Sequence, residues 1–315
     1  MAAGAKVVRW WRWLVAAAAA LAAALGAPLP DGNDLEGPAT PSYVQHVLPS
    51  FGSAVFGDPD EQIGEKVSAW SNESGVNPEE LGEYAEGDIL FPATARNGLA
   101  TTMARWPEGV VPYKFSSQFS YRDQELLQEA FRHYHEFTCI KFVPYTNQPD
   151  YIYITSSSTG CWSSVGRVGG MQEVNLQSPG CTSTVGTPIH ELMHALGFLH
   201  EQNRWERDRY VTIHWENIQQ GREDNFQAAT KESTDDYGVP YDYDSVMHYS
   251  ANAFTKNGRP TIVPMDSNAQ LGQRRGLSKG DIKKLNSMYG CKMSELPKRN
   301  SSIASFIDNI SAFFG

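Results

Sequence analysis

Residues 190–201 read His-Glu-Leu-Met-His-Ala-Leu-Gly-Phe-Leu-His-Glu, and no other stretch constrains the fold of this chain as much. Two histidines four residues apart on a helix leave from one face, because four residues make slightly more than one turn. His190 and His194 can therefore grip one metal ion. Glu191 lies beside them, placed to take a proton from a water on that metal. Gly197 can adopt the backbone conformation that ends a helix and turns the chain, which brings His200 back as a third ligand. Three imidazoles leave a fourth zinc position open, the pattern of catalytic rather than structural zinc. A buried helix with merely satisfied histidines explains neither the glycine nor the third histidine, so one Zn2+ per chain is expected.

A second element follows at Ser245-Val246-Met247-His248-Tyr249. A methionine turn beneath the metal is the expected partner of the extended histidine motif. Met247 is read as an apolar floor and His248 as structural, since three histidines and a water already fill a tetrahedral site. The Tyr249 phenol can reach the metal or a substrate oxyanion.

With these residues in place, the chain resembles the astacins, a family of metzincin zinc endopeptidases. Glu201 directly after the third histidine and Tyr249 in the methionine turn carry the resemblance, which runs from about Trp106 to Cys291. Further matching pieces are Gly109 to Tyr113, Thr138 to Phe142, Cys161 to Gly170, Pro240 to Tyr243 and Leu271 to Arg274. The resemblance implies an α+β, zincin-like catalytic domain in two subdomains. Its N-terminal half would hold a mixed twisted sheet and two long helices. An irregular C-terminal half with one helix would face it across a cleft with zinc at the floor. Glu191 would act as general base, and Tyr249 would stabilise the oxyanion. Cys161-Trp162-Ser163-Ser164-Val165-Gly166 resembles the family's upper edge strand, to which a protein or peptide substrate would add antiparallel. Glu201 would meet the N-terminus freed on activation.

The remaining sequence fits a secreted zymogen. Lys6, Arg9 and Arg12 precede an apolar run from Trp13 to Leu25, and Ala24 and Gly26 have signal-peptidase spacing. Residues 1–26 are read as a signal peptide, too short to span a bilayer comfortably, and no other stretch could span one. A formal charge of −10 argues against nucleic acid or an anionic membrane surface as partner. Four cysteines suit an extracellular compartment and allow three pairings; the resemblance implies Cys139–Cys291 and Cys161–Cys181. Sequons at Asn72, Asn300 and Asn309 are candidate glycosylation sites.

Residues 27–96 are rich in Pro, Gly, Asp and Glu and weakly periodic, which reads as a propeptide dependent on other parts for order. In astacin proforms a Gly-Asp pair delivers an aspartate to the zinc. Asp88 is the candidate, preferred to Asp58, although Ala85 stands where the family usually has Phe. The cut is expected at Arg96-Asn97, by a trypsin-like protease. Helices are expected at Tyr121 to Thr138 with Ser120 as cap, at Gly186 to Phe198, and at Ser278 to Tyr289. Strands are expected at Ile140–Tyr145, Asp150–Thr155 and Met171–Leu176. The catalytic domain then spans 97–291. A tail, 292–315, carries an apolar stripe at Ile303, Phe306, Ile307, Ile310, Phe313 and Phe314.

Overall fold

A computed structural model of the protein describes residues 55–91 and 105–292, all within one compact unit of the chain. The signal segment, the Arg96-Asn97 cut, Asn300, Asn309 and the apolar stripe of the tail lie outside the described residues.

The first described stretch holds a helix that local sequence signals did not reveal, α1 (Glu61–Ser68). Asp60 caps it, its carboxylate accepting from the Gln62 N–H at 2.8 Å. Ile63 and Val67, four apart, bury one face and join the main core. Eight residues carry too little periodicity to stand out, and a helix so short is not stable in isolation. It forms by docking. Gly64 lies so close to the body that a Cβ there would come within 1.9 Å of the Ser158 oxygen.

The body opens with strand β1 (Val110–Phe115), helix α2 (Tyr121–Phe137) and strand β2 (Lys141–Pro144). Strands β3 (Tyr151–Thr155), β4 (Cys161–Ser163) and β5 (Met171–Leu176) follow. They form one mixed sheet in the order β2-β1-β3-β5-β4. Pairings β1–β2, β1–β3 and β3–β5 are parallel, and β4 closes the edge antiparallel to β5. The parallel β1–β2 pair requires a crossover, which α2 supplies. A capping box of Ser120 and Asp123 starts α2, and Leu127, Ala130, Phe131 and Tyr134 form its buried face.

Helix α3 (Gly186–Ala195) carries the histidines and is buried along its whole length. It stops earlier than the Phe198 expected. Gly197 adopts φ 110°, its N–H bonds the His194 oxygen at 2.8 Å, and the Phe198 N–H bonds the Met193 oxygen at 3.1 Å. This pair of bonds is a Schellman ending. Three side chains fix α3 from outside: Tyr134 Oη donates to Ile189 O at 2.6 Å, Trp106 Nε1 to Ala195 O at 2.8 Å, and Tyr289 Oη to Leu196 O at 2.9 Å.

Beyond Gly197 the chain is mostly single helical turns and loops, as expected. It also contains a short antiparallel pair not anticipated, β6 (Val211–Ile213) with β7 (Ile262–Pro264). Helix α4 (Lys279–Met288) closes the body, with Ser278 as cap. Disulfides join Cys139 to Cys291 and Cys161 to Cys181. Among the described residues no helix is long and apolar enough to cross a membrane.

Candidate metal centre

The three imidazoles sit with ring centroids 4.7, 4.7 and 5.2 Å apart. Each has its Nδ1 engaged. That of His190 donates to Val246 O at 2.8 Å, and that of His194 to Phe198 O at 2.8 Å. A carbonyl can only accept, so these two rings carry the proton on Nδ1 and turn an Nε2 lone pair inward. His200 Nδ1 meets Glu86 Oε2 at 2.7 Å.

Asp88 enters the same space. Its Oδ2 lies 3.0 Å from His190 Nε2 and 3.2 Å from His200 Nε2, and its Oδ1 lies 3.3 Å from His194 Nε2. Carboxylate oxygens and imidazole lone pairs thus face one another. Asp88 Oδ1 and His194 Nε2 are buried without a hydrogen-bond partner. A shared cation reconciles these acceptors, and three imidazoles with one carboxylate are a donor set suited to Zn2+. The four donor atoms lie within 4.8 Å of one another. Burial opposes charge on His200, yet Asp88 and Glu86 outweigh it and push that ring up to about 9, so the site favours positive charge. Asp88 is held well below the usual carboxylate range: burial opposes this, but His200 and His194 prevail.

Both oxygens of Glu191 are buried without a hydrogen-bond partner. Burial, reinforced by the charges of Asp88 and Glu79, raises its affinity for a proton well above the ordinary range. Tyr249 packs its ring 4.5 Å from that of His200 and donates its hydroxyl to the Glu86 backbone oxygen at 2.5 Å. Met247 is buried in the main core. His248 is not among the donors: it bonds the Tyr241 hydroxyl at 2.7 Å and the Tyr249 oxygen at 2.8 Å.

The methionine turn is held by Asp281, a residue legible in the sequence only as a first-turn charge. It accepts from Ser245 Oγ at 2.6 Å and from the Val246 N–H at 2.9 Å. The same Val246 orients His190 through its carbonyl. Glu201 is buried and paired with Lys284 on α4 and with Arg204, whose Nη1 lies 3.0 Å away. It also accepts from the Asp242 N–H at 2.9 Å. The freed N-terminus that Glu201 is expected to meet lies outside the described residues.

The segment 161–166 is divided. Only Cys161–Ser163 is strand, and its outer edge is already paired with residues 88–90. The Ser163 N–H bonds Asp88 O at 2.9 Å, and the Leu90 N–H bonds Ser163 O at 3.0 Å. Ile89 pairs with Ser163 in the parallel sense. Ser164 Oγ donates to Leu90 O at 2.8 Å, whereas the Gly166 N–H is tied to His194 O at 2.9 Å. Arg274 is buried against Glu79, which also contacts Thr187 Oγ1 at 3.2 Å; Arg275 is exposed. Asn72 is exposed, in a single helical turn. Glu79, Glu86 and Lys284 left no local mark in the sequence, because each partner lies more than 80 residues away.

The fold and site together define a metzincin-type metal centre, three histidines above a methionine turn. The sequence profile described as Astacin, a peptidase family, matches residues 98–290, and the chain belongs to this family. It is 43% identical to zinc metalloproteinase nas-13 of Caenorhabditis elegans over 221 residues, 69% of this chain and 48% of that protein. It is 37% identical to the astacin-like metalloendopeptidase of Mus musculus over 293 residues, 90% of this chain and 64% of that one. It therefore spans about half the length of relatives such as nas-13. Among solved structures, high choriolytic enzyme 1, a hatching enzyme zinc-protease from the medaka Oryzias latipes, superposes with a TM-score of 0.56 at 41% identity. That match covers 62% of this chain and 97% of the medaka chain.

Proposed function

We propose that this protein is a secreted zinc endopeptidase made as a zymogen. The observation that carries the reading is the gathering of three histidine Nε2 atoms around the Asp88 carboxylate, with the buried Glu191 carboxyl near enough to feel the charge of Asp88. His190, His194 and His200 would hold Zn2+, which when bound would supply Lewis acidity to a water and to the scissile carbonyl. Glu191 removes the water's proton and returns it to the leaving amine. Tyr249 turns its hydroxyl from the Glu86 carbonyl to the oxyanion of the substrate, a donor worth about 3–4 kcal/mol in the transition state.

Latency follows from the leader. Asp88 stands where the attacking water belongs, and residues 88–90 cover the edge of β4. They run parallel to β4, whereas a substrate is expected antiparallel, so the leader presents its backbone reversed and is not a substrate itself. A trypsin-like cut at Arg96-Asn97 would let it leave. Arg274, read as part of the wall that meets the residue following the scissile bond, is paired with the leader's Glu79 and could receive an acidic substrate side chain once the leader leaves. Peptides with Asp at that position should then be cut faster than peptides with Lys; equal rates would remove that part of the reading.

In the cut chain, Glu191→Gln should lower kcat on casein by roughly 100- to 10,000-fold with zinc content unchanged. Undiminished cleavage would refute the assigned base. Secretion is tested by recovering the protein from the medium of producing cells, with an N-terminus near residue 27.

A further inference from the structure

The three histidines are not supported alike. The second nitrogens of His190 and His194 are held by backbone carbonyls of the body, Val246 and Phe198. That of His200 is held at 2.7 Å by a leader side chain, Glu86. His200 is also the ligand outside α3, on the irregular segment beyond Gly197. Neutral imidazoles bring no charge to a divalent cation. The leader brings two carboxylates, Glu86 and Asp88, with 0% and 1% of their surface exposed. Glu86 is placed under constraint. Its backbone lies in the left-handed region at φ 49°, where a non-glycine residue is uncommon. The Tyr249 hydroxyl fixes its oxygen. The next residue, Gly87, also has positive φ, and a Cβ there would approach Phe254 Cζ to 2.7 Å. Such strain at a site points to a role for the side chain it aims.

We propose that the leader is a zinc-retaining segment as well as a block, with Glu86 its outer-shell carboxylate. A carboxylate on the far nitrogen of a ligating imidazole fixes the ring and makes the near nitrogen a better donor. The uncut chain then holds zinc more tightly than the cut chain, which loses Glu86 and Asp88 together. Cutting unblocks the centre and at the same time makes it vulnerable to chelation. This inference rests on the zinc reading above, but it concerns metal affinity and needs no turnover.

The test is competition for zinc between the full-length protein and 4-(2-pyridylazo)resorcinol, followed by absorbance. Glu86→Gln keeps the shape and removes the charge. It should weaken zinc binding by roughly 10- to 100-fold, and the cut chain freed of its leader should be weaker still. Glu86→Asp, which keeps the charge on a shorter arm, should lie between parent and Glu86→Gln; it serves if the glutamine variant fails to fold by near-ultraviolet circular dichroism. Equal affinity of the parent and the folded variant overturns the proposal and leaves the zinc reading intact. Failure of the parent to bind zinc, cut or uncut, overturns both.

Discussion

Residues 105–196 and residues 197–292 hold the same metal site by different means. In the first part, a sheet and two helices bury an apolar core in which Leu127, Phe131, Ile152, Val174 and Leu192 are fully enclosed. The helix that carries His190 and His194 is positioned by that packing and by bonds from Tyr134 and Trp106 to its backbone, with Tyr289 of the second part bonding just past its end. In the second part the regular elements are few, and buried charge replaces them. Glu201 bridges Lys284 and Arg204. Arg207 donates to Gln202 O at 3.1 Å and to Phe226 O at 2.8 Å. Asp281 holds the methionine turn. A chain without a ladder must satisfy its backbone groups through side chains, and a buried charge left without its partner is costly. The irregular part should therefore be the more sensitive to loss of a single polar group, and the regular part to loss of apolar volume.

The largest effect should come from the link between the two parts. Replacing Cys139 and Cys291 by serine opens a loop of 152 residues and should cost about 4–5 kcal/mol on the chain-entropy account, read by denaturant unfolding. Next, Lys284→Met leaves the buried Glu201 with Arg204 as its remaining cation and should cost about 3 kcal/mol; Lys284→Arg should recover most of it. Asp281→Ala removes the anchor of Ser245 and Val246 and the capping box of α4 together. About 2 kcal/mol is expected, with weaker zinc binding because Val246 orients His190. The smallest effect belongs to the regular part, where Ser120→Ala removes the cap of α2 for about 1 kcal/mol. A Ser120 variant costlier than the Asp281 variant would break the contrast, since both serve equivalent capping boxes.

Much of this molecule could be read in one dimension. The strand at Met171–Leu176 and the starts of α2 and α4 stand where their caps and periodicity place them. Local signals failed where length or partner was missing. Helix α1 is too short to declare itself and is made by docking. The β6–β7 pair joins three-residue strands some 50 residues apart, too brief for an alternating pattern. Glu86 is one more acidic residue in an acidic leader until the fold brings His200 to it.

Residue order alone set the kinds of ligand and their spacing: two imidazoles on one helical face and a glycine that turns the chain toward a third. These follow from helix geometry and backbone sterics over a dozen residues. What surrounds them came from packing in three dimensions. Packing chose which carboxylates enter the centre, which carbonyls set the imidazole tautomers, and which cations neutralise Glu201. Those partners lie from three to more than a hundred residues away, and for the distant ones nothing short of the whole fold brings buried charges into contact.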